Sequence, residues 1–297
     1  MNGASPTSNV ELAPETPELD RKLEALQRRL SDCARAIVAY SGGVDSAFLL
    51  RVAHDALGDR VLALTARSPS LMKSELEAAS DLAKAIGVKH EIIETHELDR
   101  AGYVENSIER CYHCKSELFD AASLAVARFP GAVILDGFNA DDLRDHRPGH
   151  RAAAERSVEH PLAEVGLSKA EIRTLSRRLG LPTWQKAQLA CLSSRIPYGT
   201  PVTQQRLLRI EAVEGALRGL GFFDVRARLV PSNDDFARIE IGEAELARAV
   251  DPEVRAAIVS AARNAGFRFI TLDLEGFRSG RMNEGVVDPL VQLPRPG

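Results

Sequence analysis

The sequence has few aromatic residues and no long apolar run. Aromatic side chains make up 5% of the 297 residues, and the formal net charge is −4. Proteins that bind nucleic acids usually offer stacking platforms and a basic surface, so this composition argues against a nucleic-acid partner. No apolar stretch approaches the roughly 18 residues that a membrane helix needs, and the N-terminus lacks the pattern of a signal peptide. We therefore expect a cytoplasmic protein with no membrane partner.

The composition is that of an ordinary globular protein. Hydrophobic residues make up 44% of the chain and charged residues 27%, which is enough to bury one large core and a smaller one. Fifteen prolines and 21 glycines do not indicate disorder or a fibre.

Short apolar runs alternate with helical patterns between residues 20 and 135. This alternation predicts βαβ units and an α/β fold with a parallel sheet, whose ligands bind at the carboxyl ends of the strands. The predicted strands are residues 36–40, 61–65, 91–94 and 132–135, and the predicted helices are 20–32, 47–57, 75–86 and 116–128. The loops at those ends are residues 41–46, 66–70 and 136–142.

A capping box at Ser168 starts a predicted helix over 169–179. After about residue 200 the sequence pattern changes, and it predicts a smaller α/β unit. Its predicted elements are helix 203–219, strands 224–229 and 236–241, helix 243–263 and strand 268–272. We therefore predict a tail over 1–18, a nucleotide-binding domain over 19–200, a small domain over 201–285 and a tail over 286–297.

The hexamer Ser41-Gly-Gly-Val-Asp-Ser46 lies between a predicted strand and a predicted helix. Its two adjacent glycines let backbone amides approach a phosphate closely, and Ser41 and Ser46 can donate hydroxyl hydrogen bonds. Asp45 would repel bare phosphate, so its place is beside a magnesium ion that bridges the phosphates. The alternative is an ordinary tight turn, which the strand–helix context disfavours.

No Gly-Lys-Ser/Thr follows, so the hexamer is not a Walker loop. It resembles the PP-loop of ATP pyrophosphatases, which cut ATP between the α- and β-phosphates and transfer AMP to a carbonyl oxygen. The resemblance implies ATP and magnesium as cofactors. It implies nucleotide contacts at Ser41, Gly42, Gly43, Val44, Asp45 and Ser46, at Thr65, Arg67 and Ser68, and at Gly137 and Asn139.

Three of the four cysteines stand in unusual contexts. Cys111 and Cys114 form a Cys-x-x-Cys pair just before a predicted helix, a pattern that can chelate a metal, ligate an iron–sulfur cluster or act as a redox pair. No second Cys-x-x-Cys exists to complete a four-cysteine zinc site. Cys191 follows in the segment 190–199, whereas Cys33 is interpreted as a small buried hydrophobic residue.

Several segments together resemble the LarE family of ATP-dependent sulfur transferases, which help to build the nickel-pincer nucleotide cofactor. They are residues 41–46, 110–115, 137–142, 161–182, 190–203 and 274–280. The resemblance implies that ATP adenylylates a carboxylate of pyridinium-3,5-biscarboxylic acid mononucleotide. Sulfur then displaces AMP and a thiocarboxylate forms.

The family has two sulfur sources. In one type the cysteine at the place of Cys191 is sacrificed and becomes dehydroalanine, and in the other three cysteines hold a 4Fe-4S iron–sulfur cluster that relays sulfide. Because this chain has Cys111, Cys114 and Cys191, the resemblance favours the cluster type. It also implies a homo-oligomer and sulfide or a sulfur-donor protein as partner.

A substrate that carries carboxylates and a phosphate needs fixed cations. Arg226 and Arg228 alternate along a predicted strand and share a face, where guanidinium groups can clamp an anion, unless that face is simply solvated. Arg195 lies four residues after Cys191 and is a third candidate. Glu214 is predicted to orient one of these arginines, and Ser194 to donate to a substrate oxygen.

Two other functions share these features. A tRNA-thiolating PP-loop enzyme would use the same ATP chemistry, but the acidic charge and the few aromatic residues argue against it. A non-catalytic adenine-nucleotide sensor would bind ATP without releasing pyrophosphate, and the intact hexamer and the additional cysteines argue against that function.

Overall fold

The computed structural model describes residues 10–144, 148–186, 191–231 and 233–278. They belong to two compact units, Met1–Ala190 and Cys191–Gly297, whereas the sequence placed the division after residue 200. The predicted C-terminal tail lies outside the described residues, as do residues 1–9 of the predicted N-terminal tail.

The first unit alternates strands with helices, as the sequence predicts. Its strands are β1 Arg35–Ala39, β2 Val61–Arg67, β3 Lys89–Glu94 and β4 Ala132–Leu135. Its helices are α1 Pro17–Ser31, α2 Val44–Leu57, α3 Lys73–Ile86, α4 Ala101–Val104, α5 Arg110–Arg128, α6 Pro148–Ala154, α7 Pro161–Glu164 and α8 Lys169–Arg178.

The four strands form one parallel sheet in the order β3-β2-β1-β4. Side chains of β1 alternate between two buried clusters, with Ala36 and Val38 in one and Ile37 and Ala39 in the other. Both faces of the sheet are therefore covered by helices, the arrangement that an apolar parallel strand requires. The predicted α/β fold with a parallel sheet is confirmed.

Local signals explain where α1 and α8 begin. Thr16 caps α1 by accepting a hydrogen bond from the Leu19 amide at 3.2 Å, and Pro17 occupies the first turn. Ser168 and Glu171 form the predicted capping box at α8.

The start of α5 differs from the sequence prediction. The helix was predicted to begin near Ser116, after the Cys-x-x-Cys pair, but it begins at Arg110. Glu109 precedes it without a side-chain capping bond, so the sequence carries no start signal there. Cys111 and Cys114 consequently lie within the first helical turns and share one face.

The second unit is a smaller α/β arrangement. Its sheet has the order β5 (Val225–Val230), β6 (Asn233–Ile241) and β7 (Phe269–Leu272), antiparallel between β5 and β6 and parallel between β6 and β7. The predicted helix over 243–263 is wrong in its extent. One helix ends at Ala249, and a new helix begins at Pro252, a residue suited to a first helical turn. The elements are α9 Gln204–Gly219, β5 Val225–Val230, β6 Asn233–Ile241, α10 Leu246–Ala249, α11 Pro252–Asn264 and β7 Phe269–Leu272.

The loop between β1 and α2 packs tightly against α3. Gly42 has a φ of +68°, and a Cβ at this position would lie 2.7 Å from the Cβ of Ala79. Only glycine meets both requirements, since other residues disfavour this φ and the neighbouring atom belongs to a short, rigid side chain.

We predict that Gly42→Ala lowers the free energy of unfolding by about 2–5 kcal/mol, the sum of left-handed strain and overpacking. Gly131→Ala is the matched control, because Gly131 has a φ of +79° and open space around its Cβ position. It should lose only about 1–2 kcal/mol. Denaturant unfolding measures both variants, and equal losses would contradict the packing argument.

Candidate active site

The phosphate loop is shaped by its own serines. The backbone amide of Ser41 donates to Ser46 Oγ at 3.2 Å, and the amide of Gly43 donates to Ser41 Oγ at 3.3 Å. The two hydroxyl oxygens lie 3.1 Å apart. Val44 and Asp45 then open α2, whose first turn follows the loop directly. The corner that the sequence assigned to phosphate is therefore held in one shape by short-range hydrogen bonds.

The end of β4 lies directly against this loop. A Cβ on Gly137 would be 2.8 Å from the backbone nitrogen of Ser46, so a larger residue would displace the loop. Asn139 is buried, and its side-chain oxygen accepts from the Asp141 amide at 2.9 Å. The structure thus brings Gly137 to the loop, while the side-chain oxygen of Asn139 shapes its own turn.

Asp45 carries the charge of the loop. Burial raises the pKa of Asp45, and an ion pair with Lys169 opposes that rise. Its other oxygen, Oδ1, is buried without a hydrogen-bond partner. An unpaired carboxylate oxygen beside a phosphate loop suits a magnesium ion, which uses one or two carboxylates together with phosphates and water.

Lys186 ties the loop to α3. Its ammonium group donates to the carbonyl of Gly42 at 3.0 Å and lies 2.6 Å from Glu75 Oε2. This contact fixes the Gly42 carbonyl of the loop.

The side chains at the end of β2 contact neighbouring protein residues. The hydroxyl of Thr65 donates to the carbonyl of Tyr40 at 2.6 Å and lies 2.8 Å from His90 Nε2. Thr65 is buried, and both of these side-chain contacts lie within the sheet. Arg67 pairs with Glu94 at 2.7 Å in an exposed position, and Ser68 Oγ lies 3.0 Å from Ser70 Oγ.

A buried acid marks the end of β4. Burial alone would raise the pKa of Asp136, but the hydrogen bond with His160, the positive charge of Lys115 and the hydrogen bond from the Phe138 amide together outweigh it, so the pKa is lowered. His160 Nδ1 lies 2.6 Å from Asp136 Oδ1, and the Phe138 amide donates to the same oxygen at 3.1 Å. This pair fixes the backbone that carries Gly137.

Cys111 is exposed and Cys114 is half-buried on α5. The thiol of Cys114 lies 3.8 Å from Glu97 Oε1, and Glu97 is itself buried. Within the described residues, no group of three or more His, Cys, Asp or Glu side chains converges closely enough to hold a metal ion. The first unit thus presents two thiols together and does not by itself complete a cluster site.

In the second unit, a buried arginine anchors the Cys191 segment. Arg195 has no exposed side-chain surface and forms a two-point ion pair with Glu214, at 2.7 and 2.9 Å. Its remaining nitrogen donates to the carbonyl of Cys191 at 2.8 Å and to Ser194 Oγ at 3.0 Å. Since the guanidinium fork is already used by Glu214, this geometry supports a positioning role for Arg195 rather than an anion clamp.

Arg226 and Arg228 are both buried on β5. Arg228 pairs with Glu240 at 2.7 Å and donates to the Ser194 carbonyl at 3.0 Å, so it too holds the Cys191 segment. Arg226 lies over the ring of Phe277 at 4.7 Å. Burial and the nearby Arg195 lower the pKa of Arg226 to about 10, and a bound anion would reverse that effect.

Sequence reasoning missed two charged residues of these sites. Lys169 reaches the phosphate loop from far along the chain, and Glu240 pairs with Arg228 from the neighbouring strand. Glu240 had a usable signal, because cross-strand neighbours in a hairpin often pair opposite charges. Lys169 had none, since the distance between segments depends on the tertiary fold.

We predict that Glu214→Ala lowers the free energy of unfolding by about 3–5 kcal/mol, because it leaves the charge of Arg195 buried without its partner. Arg218→Ala is the matched control, since it removes the outer partner of Glu214, at 3.1 Å, and keeps the buried pair. That change should cost about 0–1 kcal/mol. Denaturant unfolding compares the two, and equal losses would show that Arg195 does not depend on Glu214.

The part of the chain that the structure describes contains no helix long and apolar enough to cross a membrane. Sequence comparison matches the family model of the queuosine biosynthesis protein QueC to residues 35–116, the stretch from β1 into α5. A glutamine-hydrolysing GMP synthase of Chlamydia muridarum is 25% identical over 63% of this chain and 38% of its own length. These two matches are partial, and the first of them spans three of the four strands of the parallel sheet.

Two other relatives match almost the whole chain. The protein slr1717 of Synechocystis sp. is 44% identical over 89% of this chain and 98% of its own length. The pyridinium-3,5-bisthiocarboxylic acid mononucleotide synthase of Lactiplantibacillus plantarum is 36% identical over 90% of this chain and 95% of that enzyme. With the PP-loop at the β1–α2 corner, this match shows that the chain belongs to the LarE family of ATP-dependent sulfur transferases.

Proposed function

We propose that this protein uses ATP to adenylylate a carboxylate of pyridinium-3,5-biscarboxylic acid mononucleotide and then places sulfur on the activated carbonyl. The product is a thiocarboxylate on the route to the nickel-pincer nucleotide cofactor. The observation that carries the proposal is the phosphate loop, Ser41–Ser46, in a chain aligned along 90% of its length with a synthase of that product class.

In the first step the substrate carboxylate attacks the α-phosphorus of ATP. Loop amides and the hydroxyls of Ser41 and Ser46 stabilise the charge that develops on the phosphoryl oxygens. Asp45 would hold a magnesium ion, which would supply positive charge to the outer phosphates. The bond between the α- and β-phosphates breaks, pyrophosphate leaves with the electron pair, and an acyl adenylate remains.

In the second step a sulfur nucleophile attacks the carbonyl carbon of the acyl adenylate. The carbon–oxygen bond to AMP breaks, AMP leaves with the electron pair, and the hydrosulfide proton passes to solvent. The sulfur nucleophile is placed at the Cys191 segment, whose backbone carbonyls accept hydrogen bonds from Arg195 and Arg228. Arg226 is the candidate cation for the substrate phosphate.

We further propose that Cys111, Cys114 and Cys191 together hold a 4Fe-4S cluster. The two thiols of α5 share a helix face, which suits two ligands of one cluster. Such a cluster would supply an iron with no protein ligand, where external sulfide could bind. A sulfide source or sulfur-donor protein, a homo-oligomeric assembly and a cytoplasmic location remain predictions of the same proposal.

Asp45→Ala tests the first step. We expect it to lower AMP and pyrophosphate formation at least about a hundredfold, because the metal loses its carboxylate. Asp55→Ala is the matched control, since Asp55 lies on the same helix and pairs with Arg51 at the surface. Pyrophosphate release measures both variants, and normal release by Asp45→Ala would refute the role assigned to the loop.

Iron analysis after anaerobic purification tests the cluster. We expect about four iron and four sulfide ions per chain. The Cys111→Ala variant should lose both. The control variant Cys33→Ala should retain both, because Cys33 is a buried residue that is not assigned to the cluster. Absence of iron, together with dehydroalanine at position 191 after turnover, would contradict the cluster and support the sacrificial type.

A further inference from the structure

The thiols of Cys111 and Cys114 are placed to react with each other as well as with a metal. Cys111 is exposed and Cys114 is half-buried, three positions apart on α5. Residues with this spacing share one face of a helix. Each Cβ of a helix tilts toward the N-terminus, so the Cys114 side chain leans over the turn that carries Cys111.

The chain enters α5 through tight turns. The amide of Arg110 donates to the Ser107 carbonyl at 3.0 Å, and the amide of Tyr112 donates to the Glu109 carbonyl at 2.9 Å. Both hydrogen bonds span three residues, as in a 3₁₀-helix, where side chains three positions apart lie over one another. This local geometry favours a close approach of two side chains with the spacing of the cysteines.

Closing a disulfide across this turn needs only a small movement. Cβ atoms three residues apart on a helix lie about 5–6 Å from each other, whereas a disulfide needs about 3.5–4.5 Å. The first amides of a helix have no intrahelical acceptor, so the opening turn can contract while the hydrogen bonds behind it stay intact. A disulfide formed in this way is strained, and strained disulfides are readily reduced. The geometry therefore suits a reversible disulfide rather than a structural one.

The two thiols differ in their access to solvent. The thiol of Cys114 donates to Glu97 Oε1 at 3.8 Å, and Glu97 is a buried residue of the segment before α4. The ring of His113 packs against α4, since a Cβ on Gly102 would overlap that ring. Protein atoms thus cover the Cys114 side of the turn, whereas Cys111 is exposed. A dissolved reagent consequently reaches Cys111 first.

We propose that Cys111 and Cys114 are a redox-active pair in the protein without a cluster, and that low-molecular-weight disulfides convert them into an intramolecular disulfide that a thiol reductant reopens. The disulfide itself needs only the two thiols. Its consequence rests on the proposed function, because a closed pair cannot hold the iron of the proposed cluster. Cluster loading is then restricted to reducing conditions.

The exchange proceeds in two balanced steps. The sulfur of Cys111 bonds to one sulfur of the reagent, the disulfide bond of the reagent breaks, and its first thiol leaves with the Cys111 proton. The sulfur of Cys114 then attacks Cys111 Sγ, the mixed disulfide breaks, and the second thiol leaves with the Cys114 proton. The two cysteines lose two electrons in total, and the reagent gains them.

Mass spectrometry of the full chain, reduced and freed of any iron, tests the pair. The protein is incubated with oxidised glutathione, its remaining thiols are alkylated, and it is digested with trypsin. Cleavage after Arg110 and Lys115 leaves both cysteines in one peptide. We expect this peptide to carry no alkyl group and to be two hydrogens lighter than its dithiol form. Treatment with dithiothreitol should restore two thiols that can be alkylated.

Single variants test the order of the two steps. Cys114→Ala should retain glutathione on Cys111, because no second thiol displaces it. Cys111→Ala should form its adduct, at Cys114, at least about tenfold more slowly than Cys114→Ala does, because a half-buried thiol is less accessible. Cys33→Ala is the matched control and should form the same disulfide at the wild-type rate, since Cys33 is buried on another segment.

Two outcomes would overturn the pair. One is a glutathione adduct that persists on Cys111 in the wild type, and the other is a disulfide that joins Cys111 to Cys191. Equal rates of adduct formation in the two single variants would refute the order of attack.

Iron uptake provides a second readout. The closed protein should take up no iron from ferrous iron and sulfide in the absence of thiols, and full uptake would show that the disulfide does not control the site. If the reduced protein takes up no iron either, the cluster proposal fails by itself, because the peptide mass decides the disulfide independently.

Discussion

The backbone packing of the corner between β1 and α2 is the constraint on which the rest of the site depends. A Cβ on Gly42 would overlap Ala79 and a Cβ on Gly137 would overlap the Ser46 backbone, so the loop packs closely on both sides. This packing holds the amides in place before any ligand arrives. A preorganised set of donors stabilises developing charge without reorganisation during the reaction, which is what cleavage at an α-phosphate requires.

Paired charges shape the site in both units. In the first unit Lys169 pairs with Asp45, and in the second Glu214 pairs with Arg195. The two pairs differ in exposure, because Arg195 is fully buried whereas Lys169 keeps 28% of its side-chain surface. The buried pair suits the positioning of the Cys191 segment.

The sheet and the phosphate loop could be predicted from the sequence because the signals for both lie in short, continuous segments. Alternation of apolar runs and helices gives the parallel sheet, and the hexamer Ser41–Ser46 carries its own turn chemistry. The start of α5 was missed because Glu109 provides no cap, and the break before Pro252 was missed because the flanking segments both have helical patterns. Arg195 was assigned to substrate because its pairing with Glu214, nineteen positions later, is a tertiary contact. Lys169 could not have been found for the same reason, although its capping box was visible.

The central claim is that the loop presents the α-phosphorus of ATP to a carboxylate, and the fate of the carboxylate oxygen tests it most directly. The substrate, labelled with ¹⁸O in its carboxylates, is converted with ATP and sulfide, and the products are separated and analysed by mass spectrometry. Attack at the α-phosphorus followed by sulfur substitution leaves one labelled oxygen in AMP and none in pyrophosphate. Label in inorganic phosphate, together with ADP, would mean attack at the γ-phosphorus and would contradict the account.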